Sequence, residues 1–93
     1  MKENTFYMKG ICPSRITVHV NDDKTFEDAI FFGGCPGNHK GINALCKGMP
    51  LEDIIPKLEG ITCGMRNTSC PNELANCLKY ILEHWEGDLN DNN

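Results

Sequence analysis

Hydrophobic and polar positions alternate most strictly over Arg15-Ile-Thr-Val-His-Val-Asn21. Ile16, Val18 and Val20 fall on one side there, and Arg15, Thr17 and His19 on the other. A two-residue period of this kind predicts a strand with one buried face. The polar run Asn21-Asp-Asp-Lys-Thr25 is turn chemistry, and Phe26-Glu-Asp-Ala-Ile-Phe-Phe32 reads as the returning strand with Ala29 and Phe31 inward. Ahead of this hairpin, residues 4–9 are rich in strand formers and predict a short edge strand, broken by Gly10-Ile-Cys-Pro-Ser14. Beyond Gly33 the apolar spacing changes to three and four, the helical period.

Three helices follow from that spacing. Asn38 is expected to cap a first helix whose core face is Ile42, Leu45, Cys46 and Met49, with Gly48 closing it. Pro50 opens a second, with Leu51, Ile54, Ile55 and Leu58 as its apolar stripe, Pro56 within it and Gly60 stopping it. The third, Pro71 to Trp85, carries Leu74, Cys77, Leu78, Ile81, Leu82 and Trp85 on one face. Pro71 suits the first helical position, which puts Cys70 at the N-cap and Glu73 where a capping box has its carboxylate. From Gly87 the chain is polar and acidic. The expectation is one domain over residues 1–86 with a disordered tail at 87–93. The fold class is α+β, a three-stranded antiparallel sheet with about three helices packed on one face.

Charge narrows the function classes. The chain has 93 residues and a formal net charge of −4, and its nine Lys and Arg form no stripe, so we expect no nucleic-acid partner. No apolar run approaches the length of a membrane helix, and the N-terminus lacks the apolar segment of a secretory signal, so we expect no membrane association and a cytoplasmic protein. A domain this small has a modest core and gains from any added cross-link or metal.

The six cysteines change the picture most. In a reducing compartment they point to metal binding, redox chemistry or burial rather than disulfides. Three are followed by proline, at Cys12-Pro13, Cys35-Pro36 and Cys70-Pro71, where chance would give about 0.3 such pairs. Cys46 and Cys77 lie on apolar helix faces and are read as small core hydrophobes. Cys12, Cys35, Cys63 and Cys70 fall in connecting segments or at element ends, where ligands usually come from. A thiol at a helix N-terminus meets unpaired N–H donors and the positive dipole end, and both favour the metal-binding thiolate. Four thiolates suit zinc or an iron–sulfur cluster. The intervals of 22, 27 and 6 residues contain no Cys-x-x-Cys pair, so spacing leaves four ordinary reduced thiols as the alternative.

Other side chains add little. His39, four residues after Cys35, is a candidate to replace one thiolate, with a solvated histidine as the default. His19 and His84 read as plain surface residues, Arg66 as a loop charge, and Glu52, Asp53 and Glu59 as a solvated helix face. A thiol enzyme with Cys70 as nucleophile and Cys63 as resolving partner is the competing class. It ranks below metal binding, because no histidine stands beside Cys70. A phosphate loop is excluded, since Gly33, Gly34 and Gly37 are not followed by Lys-Ser or Lys-Thr.

The motifs Gly33-Gly34-Cys35-Pro36-Gly37-Asn38 and Thr68-Ser69-Cys70-Pro71-Asn72, with Gly10-Ile-Cys12, Gly41-Ile42 and Ile61-Thr-Cys63-Gly64, resemble the TSCPD family over about residues 5–84. Asn72 stands where the family name has Asp. A similar domain ends adenosylcobalamin-dependent ribonucleotide reductases, and short members carry the label ribonucleoside-diphosphate reductase. The resemblance therefore implies an accessory or redox role beside a reductase, since 93 residues hold neither the radical-bearing barrel nor a cobalamin site. A more distant likeness is to NifU/IscU iron–sulfur scaffolds, in the order of strands, turn, Gly34-Cys35, helix and Ser69-Cys70. By that likeness Cys12, Cys35 and Cys70 fall near the scaffold's three cluster-binding cysteines. Ser69 replaces the scaffold's histidine, and Cys63 is an additional candidate.

The expectation is a small metal-binding protein, with zinc or an iron–sulfur cluster held by Cys12, Cys35, Cys63 and Cys70, and no catalysis of its own. The expected partners are a ribonucleotide reductase or an iron–sulfur assembly protein, with self-association left open.

Overall fold

A computed structural model describes residues 1–8, 14–33, 36–61 and 70–85. Strands β1 (Lys2–Tyr7), β2 (Arg15–Val20) and β3 (Phe26–Phe32) form an antiparallel sheet in the order β1-β2-β3, followed by helices α1 (Pro36–Cys46), α2 (Leu51–Leu58) and α3 (Cys70–Glu83). The α+β class and the three-stranded sheet are as the hydrophobic pattern predicts. β1 starts two residues earlier than expected and is an edge strand.

Alternation along β2 buries Ile16, Val18 and Val20 completely. Ala29 is buried and Phe31 packs against the core, as expected for β3. Phe26 also points inward, although it lies an odd number of residues from Ala29. The register accounts for this. Val18 pairs with Ala29, His19 with Asp28 and Val20 with Phe26, so Glu27 is an extra residue. A bulge of this kind turns the strand and returns the next side chain to the core face.

The far edge of β3 is closed by the chain that follows it. Asn43 on α1 accepts from the Ala29 N–H at 2.8 Å and donates from Nδ2 to the Ala29 carbonyl at 2.9 Å, which copies a strand with one side-chain amide. The Phe26 N–H donates to the Met49 carbonyl and the Gly48 N–H to the Phe26 carbonyl, both at 2.8 Å. Gly48 ends α1 with φ +82°, the left-handed conformation that turns the chain back along β3.

Two expectations for α1 are corrected. The helix begins at Pro36, so Asn38 lies inside its first turn and is not its cap; proline is pre-organised for the first helical position. Ile42 and Cys46 are buried and Met49 packs on the core, but Leu45 is 79% exposed. The two bonds from Asn43 to Ala29 set the rotation of the helix. The face turned to the sheet is 39, 42, 43 and 46, and Leu45 sits about 160° around the helix from Asn43 and about 100° from Cys46.

α2 starts after Pro50 and buries Leu51 and Ile54; Ile55 and Leu58 are partly covered. α3 supplies the largest share of the core through Leu74, Ala75, Leu78 and Ile81, all fully buried. Phe6 meets Tyr80 edge to face at 5.7 Å, which pins α3 against β1. At the other end of α3 the Lys2 and Lys24 ammonium groups lie 5.0 and 5.4 Å from the Trp85 ring. Lys79 on α3 pairs with Glu59 at the end of α2. No described helix is long and apolar enough to cross a membrane.

Candidate functional site

Cys46 and Cys77 are free thiols and 6% and 4% exposed, packed in the core as their helical positions predict. Burial, together with the nearby Glu73 carboxylate, pushes the Cys77 thiol up to about 12. It is therefore neutral at physiological pH and serves as packing rather than as a nucleophile. Cys12, Cys35 and Cys63 lie outside the described residues, as do the side chain of Cys70, Arg66 and the tail at 87–93. Among the described residues no group of three or more His, Cys, Asp or Glu side chains is arranged to hold a metal ion.

The described residues do fix where the three segments that carry these four cysteines begin and end. The Met8 N–H donates to the Ser14 carbonyl and the Ser14 N–H to the Phe32 carbonyl, both at 2.9 Å. These bonds bracket residues 9–13, which contain Cys12. They also put both ends of that segment beside the end of β3 at Phe32, three residues before Cys35 in the sequence. On the helical side, Asn72 in the first turn of α3 accepts from the Gly60 N–H at 2.7 Å. That bond closes the span holding Cys63 and Cys70 by tying the end of α2 to the start of α3. Glu73 and Cys77 share a cleft with Phe6, Tyr7 and Met8, so α3 begins at the same end of the sheet. All the anchors of Cys12, Cys35, Cys63 and Cys70 thus gather at one end of the molecule.

His39, on the first turns of α1, stacks on Phe31 with ring centroids 4.1 Å apart and planes 15° from parallel. Burial holds its pKa below the usual histidine range. A neutral imidazole is the form that ligates metal, and His39 follows Cys35 by four residues in the sequence. It is partly covered rather than a freely solvated histidine.

His19 is a further correction. It does lie on the outward face of the sheet, but it is not a plain surface residue. Its Nδ1 is 2.5 Å from Asp28 Oδ1 and its Nε2 2.7 Å from Glu3 Oε2, so one imidazole joins all three strands. Hydrogen bonding to Asp28 first, and to Glu3 second, raises its pKa above 6.5. The folded state therefore holds its proton more tightly than the unfolded chain. The resulting stabilisation is complete below the unfolded value and fades as pH rises through the folded one. Chemical denaturation at about pH 6 and about pH 8 is expected to show lower stability at the higher pH, with His19→Gln flattening that difference. Equal loss in wild type and variant would exclude His19 as the source.

The sequence reading missed the roles of Asn43, Asn72 and the His19 triad. Asn43 carries a visible signal, a polar residue beside Ile42 on the side of the helix facing the sheet. For Asn72 and His19 the signal is absent until the register of the strands and the meeting of α2 with α3 are known. Asn72 accepts a backbone bond that a neutral amide serves without adding a charge beside Glu73.

No curated protein and no solved structure matches the chain. The family model for the TSCPD domain matches residues 1–82, so the chain belongs to the TSCPD domain family.

Proposed function

We propose that this protein binds zinc or an iron–sulfur centre through Cys12, Cys35, Cys70 and Cys63, and acts as a metal-carrying or accessory protein rather than as a free-standing enzyme. The observation that carries the reading is the gathering of anchors. Met8, Ser14 and Phe32 on the sheet, with Gly60 and Asn72 on the helices, hold the described flanks of three cysteine-bearing segments, one of them carrying both Cys63 and Cys70, toward one end of the fold. Four soft sulfur donors suit tetrahedral zinc or iron–sulfur chemistry, and the bound ion would add cross-linking to a small core. His39 is the reserve donor, since it stacks on Phe31 near the end of β3 and burial lowers its pKa.

Element analysis of anaerobically purified protein is expected to find about one equivalent of zinc, or iron with acid-labile sulfide, and Cys70→Ser is expected to remove most of it. Wild-type protein with less than about a tenth of an equivalent would overturn the reading.

A second reading follows from the Asn72–Gly60 bond, which brings the ends of the Cys63–Cys70 span together. A reversible Cys63–Cys70 disulfide in an accessory to a ribonucleotide reductase would use the same closure. It requires two thiols to disappear on mild oxidation and to return with a dithiol reductant. Unchanged thiol counts would remove it.

A further inference from the structure

The two edges of the sheet are treated differently. β3 is covered at Phe26 by Met49 and Gly48 and at Ala29 by the Asn43 amide, as described above. Among the described residues β1 has no such cover. Lys2, Asn4 and Phe6 face β2 in the same register as the Met8–Ser14 bond, so the backbone N–H and C=O groups of Glu3, Thr5 and Tyr7 point away from the sheet. None of them has a backbone partner among the described residues. β1 also carries no proline and no bulge, two of the devices that protect an edge, and its charges are confined to Lys2 and Glu3 at its start.

Beside this edge runs a cleft of about 310 Å³ between β1 and α3, lined by Phe6, Tyr7, Met8, Cys77 and Tyr80, with Glu73 at one end. Tyr7 is 68% exposed at its lip. An uncovered strand flanked by an aromatic cleft offers main-chain bonding for register and apolar area for affinity.

We propose that this edge is a homodimer interface, in which β1 pairs antiparallel with β1 of a second copy about a two-fold axis at Thr5. That register matches every outward backbone group. Thr5 faces the partner's Thr5, and Glu3 faces the partner's Tyr7, giving roughly six inter-chain hydrogen bonds. It sets no like charges opposite one another. It places the partner's Lys2 across from Met8, at the end of the cleft that holds Glu73, so an ammonium meets a carboxylate there. Trp85 keeps Lys24 when Lys2 turns to the partner. Self-complementarity of one strand with itself is the feature that selects a second copy over an unrelated extended peptide. The sheets of the two copies become continuous. Their cysteine-bearing ends lie at opposite ends of the pair, because each belongs to the Met8 end of its own β1.

Sedimentation velocity across a concentration series is expected to show a species of twice 10.4 kDa. Thr5→Lys sets two ammonium groups together on the axis, and Tyr7→Glu sets a carboxylate opposite the partner's Glu3. Each is expected to weaken association roughly tenfold or more. Ile30→Glu, on the same outward face but on β3, is expected to leave it unchanged. A monomer at every concentration, or a dimer untouched by both β1 variants, would overturn the proposal. So would a dimer equally sensitive to Ile30→Glu, which would place the contact on the face of the sheet. Should the β1 variants fail to fold, amide exchange of the wild type decides the matter. Glu3, Thr5 and Tyr7 are expected to be protected at high concentration and to exchange freely on dilution, and free exchange at both would refute the pairing.

Discussion

Replacing Phe26 with alanine is expected to lower the unfolding free energy by about 3–5 kcal/mol, a large part of what a domain of this size possesses. The side chain is fully buried, and it stands where the bulge at Glu27, the end of α1 and the start of α2 meet. Its backbone N–H and C=O are both engaged, by Met49 and Gly48, so the surroundings are held in place and collapse poorly around the cavity left behind. Equilibrium denaturation followed by far-UV circular dichroism measures the loss. A change below about 1 kcal/mol would mean that the bulge does not turn this ring into the core.

Asn43→Leu is expected to cost about 2–4 kcal/mol, even though leucine is the better helix former. Two hydrogen bonds to Ala29 disappear together, and the strand N–H and C=O lose their partners beneath the helix. The effect should be local in amide exchange, with the Ala29 amide losing protection before those of β1. Because Asn43 sets the rotation of α1, the same variant should also disturb the stacking of His39 on Phe31 and whatever Cys35 contributes at the head of that helix. Metal content measured on the folded fraction of Asn43→Leu is therefore expected to fall. Retained stability would show that the helix propensity of leucine outweighs the lost edge cover.

These two residues share a lesson about sheets in small domains. β3 would be an open edge if α1 and the turn after it did not supply substitute partners. With cover at Phe26 and Ala29 and none on β1 among the described residues, the two edges of the sheet differ. His19 works across the same sheet in a different way, by tying Glu3, β2 and Asp28 through a single ring. That tie is strongest when the ring is protonated, so the sheet should be most firmly held on the acid side of neutrality.

Local periodicity was enough to determine the element types, their order and most of the core of this protein. Strict alternation at Ile16, Val18 and Val20, and three-and-four spacing at Leu74, Cys77, Leu78 and Ile81, each depend only on neighbours in the chain. The inert character of Cys46 and Cys77 was legible for the same reason. What tertiary structure alone decided are the facts that need two distant segments in register. They are the extra residue at Glu27 that turns Phe26 inward, the Asn43 amide that rotates Leu45 out to solvent, the meeting of His19 with Glu3 and Asp28, and the Asn72 bond that closes the Cys63–Cys70 span. Hydrophobic burial sets a face by its period, which one segment carries by itself. A hydrogen bond needs its partner within about 3 Å, and only the folded chain brings that partner there.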